Sequence, residues 1–369
     1  MFVSYMNMID SSSKTPVIGW FISGHGLGHA SRSTQVIRRL PASQVRVIVF
    51  SLADRHFIER ECGRPVRVIS RSWDHGPVQA SGFEIDWEAS FRECLRVQES
   101  VENDGGALGR FLMSEGVTLV VSDISPYPLA VASRLGIPGV CITNFTWCDV
   151  LAPCAVGDKR REDLITAYRA DYECASLTLR TPLSFPMNYM PHRQDIDLIA
   201  TCGVRNRRAE LRQSVGARDD ERLVCLYLGL WGTGDLDTER LRSIRGVRFV
   251  SYRPVGDCAS IVDPDLWPFE DLITSCDCVM CKPGYGAFSS CMANGVPCLT
   301  YPRPEFAEYH YLRSGVDAWG GAVHLPVSDM MSGNWLAGLE ETLSLRPERV
   351  SSDGALQGAH YILDLLGVS

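Results

Sequence analysis

Twice along the chain a short apolar run ends in a cluster of glycines, and that recurrence constrains the fold more than any other feature. The first run, Val17 to Ile22, leads into Ser23-Gly24-His25-Gly26-Leu27-Gly28-His29. The second, Leu223 to Leu228, leads into Gly229-Leu230-Trp231-Gly232-Thr233-Gly234. A buried strand that turns sharply into a helix opens a βα unit of a parallel sheet, and glycine lets the backbone approach a ligand there. With 369 residues, the chain has room for two domains, each opened by one of these units.

The intervening pattern agrees. Apolar runs at Val45 to Phe50, Val66 to Ser70, Thr118 to Ser122 and Gly139 to Thr143 read as strands. They alternate with helix-like stretches at Arg55 to Glu61, Ser81 to Asn103 and Pro128 to Leu135. Asp158 to Ala175 reads as helical. The aperiodic, Pro- and Met-rich stretch from Thr181 to His192, ending near Asp197, reads as a hinge. Beyond it, Val247 to Tyr252, Cys278 to Cys281 and Cys298 to Tyr301 supply strands, and a helix over Ala355 to Leu366 closes the chain. The expected division is 1–197, 198–350 and a terminal helical segment, 351–369.

Composition narrows the function. A charge of −8 (36 Lys and Arg against 44 Asp and Glu), without a long basic run, argues against a nucleic-acid partner. No apolar stretch is long enough for a transmembrane segment, and the first fifteen residues lack the layout of a signal peptide. The fourteen cysteines are scattered, several inside apolar runs, as in a reduced cytoplasmic protein. Cys276, Cys278 and Cys281 cluster, but without a second pair at zinc-ribbon spacing, so no metal is expected.

Several residues stand where chemistry is done in α/β proteins. His25 and His29, in the first glycine loop, suit acid–base work because imidazole titrates near neutrality; a tight turn with solvent-facing His is the plain alternative. Asp123 ends a buried strand, where a carboxylate could orient a His or cap the next helix. Asn144 and Trp147 follow the next strand and could line the same crevice. In the second half, the backbone of Gly232, Thr233 and Gly234 suits a diphosphate. Lys282, one of only three lysines, precedes Gly284-Tyr285-Gly286 at a helix start, which makes an anion site of different design from a P-loop. Glu305 or Glu308 could accept hydrogen bonds from sugar hydroxyls.

Taken together, the motifs resemble those of GT-B glycosyltransferases. The likeness is strongest to the glycosyltransferase-like N-terminal region of plant L-arabinokinases and weaker to the N-acetylglucosaminyltransferase that makes lipid II. It is carried by Gly24 through Arg32, Ser122-Asp123, Thr143 through Trp147, Asp277 through Gly286, and Phe306-Ala307-Glu308, and it spans roughly residues 16 to 365. It implies an α/β chain of two Rossmann-like domains facing across a cleft, acceptor in the first and nucleotide sugar in the second. It implies His29 as base, assisted by Asp123 with His25 in reserve, and Gly26, Gly28, Arg32, Asn144 and Trp147 on the acceptor side. The donor would meet Gly232, Thr233, Gly234, Lys282, Gly284, Tyr285, Gly286, Ser290 and Glu308. Ser290 stands where that family commonly has a Glu gripping the ribose, and is too short for the same bidentate contact.

The expectation is therefore a metal-independent, inverting transfer of a sugar from a nucleoside diphosphate sugar, a co-substrate rather than a cofactor, to a small-molecule acceptor. Rival expectations are a weakly catalytic nucleotide-sugar-binding module, suggested by Ser290, and a nucleotide-sugar 2-epimerase.

Overall fold

A computed structural model describes residues 15–81, 83–204, 206–229 and 236–368. The first half carries β1 (Val17–Ile22), β2 (Arg46–Phe50), β3 (Arg67–Ile69), β4 (Val78–Gln79), β5 (Ile85–Asp86), β6 (Val117–Asp123), β7 (Gly139–Thr143), β8 (Leu177–Arg180) and β9 (Arg193–Asp195). Seven of these form one parallel sheet in the order β3-β2-β1-β6-β7-β8-β9, while β4 and β5 pair as a small antiparallel hairpin. The second half carries β10 (Arg222–Tyr227), β11 (Val247–Ser251), β12 (Ala259–Ile261), β13 (Cys278–Cys281), β14 (Cys298–Thr300) and β15 (Ala322–His324). They form a second parallel sheet in the order β12-β11-β10-β13-β14-β15.

Each sheet is covered on both faces, which explains why its strands are apolar throughout rather than alternating. In β1, Ile18, Trp20 and Ile22 enter one core while Val17 and Phe21 enter the core on the other face. In β10, Leu223 and Cys225 face one way, Val224 and Leu226 the other. Burial of each large side chain of this kind contributes roughly 1.5–3 kcal/mol. In both sheets the strand order reverses beside the first strand, at β1 and β6 and again at β10 and β13. The crevice at such a switch point is where open α/β sheets bind ligands.

The stretch expected as one helix from Ser81 to Asn103 is shorter. Its helix runs Trp87–Glu102, started by Asp86, whose side chain accepts a hydrogen bond from the Ala89 N–H. The preceding residues belong to the β4–β5 hairpin. The expected hinge is more structured than its composition suggested: β8 precedes it, and near its end β9 joins the edge of the first sheet. The final helix, Gly354–Leu366, crosses back and packs Ala355, Ala359, Ile362 and Leu366 into the core of the first sheet. Among the described residues, no helix is long and apolar enough to cross a membrane.

Candidate active site

The first glycine loop ends at Gly26, whose φ of 85° favours glycine, and helix Leu27–Arg39 begins there without a side-chain cap. His29 therefore lies in the first turn, beside the carboxyl end of β6. Its Nδ1 is 2.9 Å from Asp123 Oδ1. One helical turn later, Arg32 donates from Nε to Asp123 Oδ2 at 3.0 Å and from Nη2 to Oδ1 at 2.5 Å. Ser33 adds a hydroxyl donor to Oδ2 at 3.0 Å. The carboxylate thus accepts four hydrogen bonds in a site where it is only 1% exposed. Burial alone would raise its pKa, but Arg32 and then His29 more than offset this and hold it at about 2. Asp123 is an anion at neutral pH, so it accepts the Nδ1 proton of His29. His29 Nε2 makes no hydrogen bond among the described residues.

The network crosses the cleft. Arg32 Nη1 donates to Asn144 Oδ1 at 2.6 Å, and Asn144 Nδ2 donates to Glu308 Oε1 at 2.8 Å. Glu308 begins the helix Glu308–Trp319 of the second half. Burial raises its pKa, opposed by the Asn144 hydrogen bond and by the charges of His29, Arg32 and Arg303. The Arg32 guanidinium also lies 5.1 Å from the centroid of the Tyr285 ring, and the Tyr285 hydroxyl accepts the Ile199 N–H at 3.0 Å. One continuous set of polar contacts thus joins the end of β6 to the start of two helices in the opposite half.

An aromatic group surrounds His29. Its ring meets Phe145 edge-on at 5.7 Å and Trp147 at 6.3 Å, and His25 meets Trp147 edge-on at 5.5 Å. Burial, then the neighbouring His29, lowers the His25 pKa to about 4, so His25 is neutral at physiological pH. Trp147 is held by its indole N–H, which donates to Asp74 Oδ2 at 2.8 Å. Asp74 also accepts from Ser125 at 2.8 Å and Ser72 at 2.5 Å.

On the second half, Gly284 opens helix Tyr285–Asn294 without a side-chain cap and with no acidic residue in the first turn. A Cβ at Gly284 or Gly286 would meet nothing within 4 Å, so this helix start faces open space. Lys282 stands just before it. Its Nζ donates to Gln79 Oε1 of β4 at 3.1 Å, a second contact across the cleft. Burial, then the nearby Arg303, lowers its pKa to about 8.

His25, His29, Asp123, Arg32, Asn144, Trp147, Tyr285 and Glu308 thus meet in one contact network, with Lys282 beside it through its charge effects on His25 and Glu308's on Lys282. Arg32 is 3% exposed with its guanidinium engaged, Trp147 is 1% exposed, and Gly26 and Gly28 are exposed with open space where a Cβ would be. Ser290 is buried in mid-helix, its carbonyl accepting from Asn294. Of the two glutamates considered, Glu308 joins the network while Glu305 is exposed. Gly232, Thr233 and Gly234 lie outside the described residues. Asp74, Gln79 and Arg303 escaped the sequence reading. Asp74 stands in Trp73-Asp74-His75-Gly76, a carboxylate between aromatic residues just after a strand, which was the available signal. No group of three His, Cys, Asp or Glu among the described residues could hold a metal ion. A surface groove of about 720 Å3, lined by Val101, Met113, Tyr127 and Arg134 among others, lies apart from this network.

Comparison with known proteins agrees with this fold. Solved structures similar over almost the whole chain include the calicheamicin glycosyltransferase CalG4 (TM-score 0.60, 14% identity, 96% of this chain and 99% of that one). A UDP-glucosyltransferase from Polygonum tinctorium aligns with TM-score 0.60 and 12% identity, covering 97% and 100% of the two chains. The spinosyn rhamnosyltransferase SpnG, complexed with thymidine diphosphate, aligns with TM-score 0.59 and 16% identity over 95% and 96%. The fold is GT-B. In sequence, the chain is 27% identical over 372 residues to the L-arabinokinase of Arabidopsis thaliana, which covers 97% of this chain and 35% of that protein. The chain therefore spans about a third of the length of that relative. No family model matches the chain.

Proposed function

We propose that this GT-B protein transfers a sugar from a nucleoside diphosphate sugar to a hydroxyl or amine of a small-molecule acceptor, with inversion and without a metal ion. The observation that carries the reading is the His29–Asp123 pair at the first glycine loop, linked through Arg32 and Asn144 to Glu308 across the cleft. The names of the structural relatives support it, as glycosyltransferases, one of them complexed with a nucleoside diphosphate.

With its Nδ1 proton held by Asp123, His29 offers the Nε2 lone pair to the acceptor proton. The deprotonated acceptor bonds to the anomeric carbon as the bond to the diphosphate oxygen breaks, its electron pair leaving with the diphosphate. Attack from the opposite face inverts the centre. Asp123 stabilises the imidazolium, and Arg32 and Ser33 hold the carboxylate in place. The uncapped start of helix Tyr285–Asn294 and Lys282 meet the leaving charge. Glu308 faces the donor sugar, and Gly26 and Gly28 leave room for the acceptor. The scattered thiols suit a reduced, cytoplasmic setting.

A thermal-shift panel of nucleotide sugars, followed by product analysis with the best ligand, tests this. At least one donor should stabilise the protein and yield a glycosylated product, and His29→Ala should lower kcat by about 10²–10⁴-fold. Ser290, in place of a ribose-gripping Glu, favours a second reading: a module that binds the nucleotide sugar without turnover. Stabilisation without transfer or hydrolysis would establish the second reading; no stabilisation by any nucleotide sugar would remove both.

A further inference from the structure

Arg303 has no role in the mechanism above, yet it is among the most unusual side chains in the molecule. It lies in the loop between β14 and helix Glu308–Trp319 and is 4% exposed. Its guanidinium rests 3.2 Å from the centroid of the Phe306 ring. Its Nε and Nη2 are buried with no hydrogen-bond partner. Among the described residues, Arg64 and Arg248 each leave one such nitrogen and Arg303 leaves two. The contrast with Arg32 is sharp, because that buried guanidinium is bonded to Asp123 and Asn144.

A buried cation is stable only when paired, and a guanidinium is shaped to take a carboxylate through two parallel N–H bonds. Glu308 is near enough to influence Arg303 but directs its carboxylate oxygen to Asn144. Lys282 Nζ lies 5.9 Å from the centroid of the same Phe306 ring, so two cations flank one aromatic side chain. Their settings differ. Lys282 stands at the uncapped helix start, where a diphosphate has backbone N–H groups to bind. The loop that carries Arg303 leads into the helix that Glu308 begins, at the sugar end of the proposed donor. A sugar bearing only hydroxyls would leave this second cation without a counter-ion.

We propose that the transferred sugar carries a carboxylate, as in a nucleoside diphosphate uronic acid, and that Arg303 is the specificity-determining residue that reads it. The inference rests on the nucleotide-sugar reading above. Binding turns the guanidinium off the Phe306 ring, and no hydrogen bond holds it back. A carboxylate satisfies N–H groups that a neutral hexose leaves as they stand in the free protein, and that gain is the source of discrimination.

The test is calorimetric binding of matched donors: nucleoside diphosphate glucose against glucuronate and galactose against galacturonate, in the uridine, thymidine and guanosine series. Each bare nucleoside diphosphate serves as reference. The wild-type protein should bind one acidic donor about 10–100-fold more tightly than its neutral partner, the ratio expected for a charge-assisted pair. Arg303→Gln should erase that ratio while leaving affinity for the bare diphosphate unchanged, and Arg303→Lys should keep part of it. The wild-type comparison needs no variant to fold. Equal binding of acidic and neutral donors overturns the inference and leaves the transferase reading standing. So does an Arg303→Gln variant that weakens the bare diphosphate as much as the acidic donor, which would make Arg303 a phosphate contact. If no nucleotide or nucleotide sugar binds the wild type, both readings fall.

Discussion

Replacing Asp123 with Asn removes one negative charge and almost no volume, from a site that holds two buried cationic or ionisable partners. Arg32 is 3% exposed and His29 7%, so neither can turn to water for compensation. The amide keeps one oxygen acceptor but directs its NH2 group at a donor already present, Arg32 or His29, and leaves the guanidinium without its adjacent counter-charge. Removing one partner of a buried ion pair costs about 3–5 kcal/mol. For a domain of this size, with about 2–4 °C lost per kcal/mol, the melting temperature of Asp123→Asn should fall by roughly 6–20 °C. Differential scanning calorimetry reads this directly, and kcat, measured below the melting range, should fall by about 10²–10⁴-fold as His29 loses its orienting acceptor. The decisive comparison is the double variant Arg32→Met with Asp123→Asn, which removes the stranded charge as well. It should melt above Asp123→Asn alone. A loss in Asp123→Asn below about 1 kcal/mol, or a double variant whose loss equals the sum of the two single variants, would refute the reasoning.

Other consequences can be measured independently. Because the folded-state pKa of Asp123 is lowered from 3.8 to about 2, its ionisation stabilises the fold above pH 4. That contribution, about 2 kcal/mol, should be lost as pH falls from 4 to 2, and Asp123→Asn should flatten the acid limb of the stability profile. Lys282, lowered to about 8, loses its charge as pH rises through that value. Affinity for a nucleoside diphosphate should therefore weaken above pH 8, by at most about tenfold per pH unit, and Lys282→Met should remove the dependence in titration calorimetry. A Cβ at Gly76 would fall 2.3 Å from the His25 ring and 2.7 Å from Trp147. Gly76→Ala should therefore cost about 1–3 kcal/mol and change the near-ultraviolet dichroism of Trp147. At Gly354 a Cβ would fall 2.1 Å from the Asp197 carbonyl oxygen, so Gly354→Ala should loosen the final helix and raise hydrogen exchange across Gly354–Leu366.

Much of this architecture was readable from local pattern. The limits of β1, the turn at Gly26 and the helix after Gly284 follow from apolar runs and glycine, both short-range signals. Asp123, Asn144 and Trp147 were recognisable because they end or follow strands, where parallel sheets bind ligands, whereas strand position left Glu305 and Glu308 open and the family resemblance singled out Glu308. Periodicity failed at Ser81 to Asn103, where Asp86 caps a helix later than its charged, helix-like composition suggests. The β4–β5 hairpin before that helix carries Gln79 and Phe83 to Lys282 and Tyr301 in the other half, contacts between residues some two hundred positions apart that no local pattern records. Arg303 was missed for the same reason, and the role of Asp74, despite its place just after a strand, shows only once its partners are assembled. A buried carboxylate is identified by its donors and an unpaired guanidinium by its lack of acceptors, and both are properties of the assembled molecule.

The return of helix Gly354–Leu366 to the first sheet makes the molecule doubly tethered. The outgoing strand of chain at Asp197 to Ile199 and the returning one at Asp353 to Gln357 run side by side. They are joined by the Gly354 N–H to the Leu198 carbonyl at 3.1 Å, by the Asp197 N–H to Gln357 Oε1 at 2.7 Å and by Gln357 Nε2 to Asp197 Oδ2 at 3.2 Å. A single proteolytic nick between residues 199 and 208 would therefore not free the two lobes. The second fragment would still own a helix anchored in the first fragment's core, and the nicked protein should migrate as one particle until that anchor is stripped away.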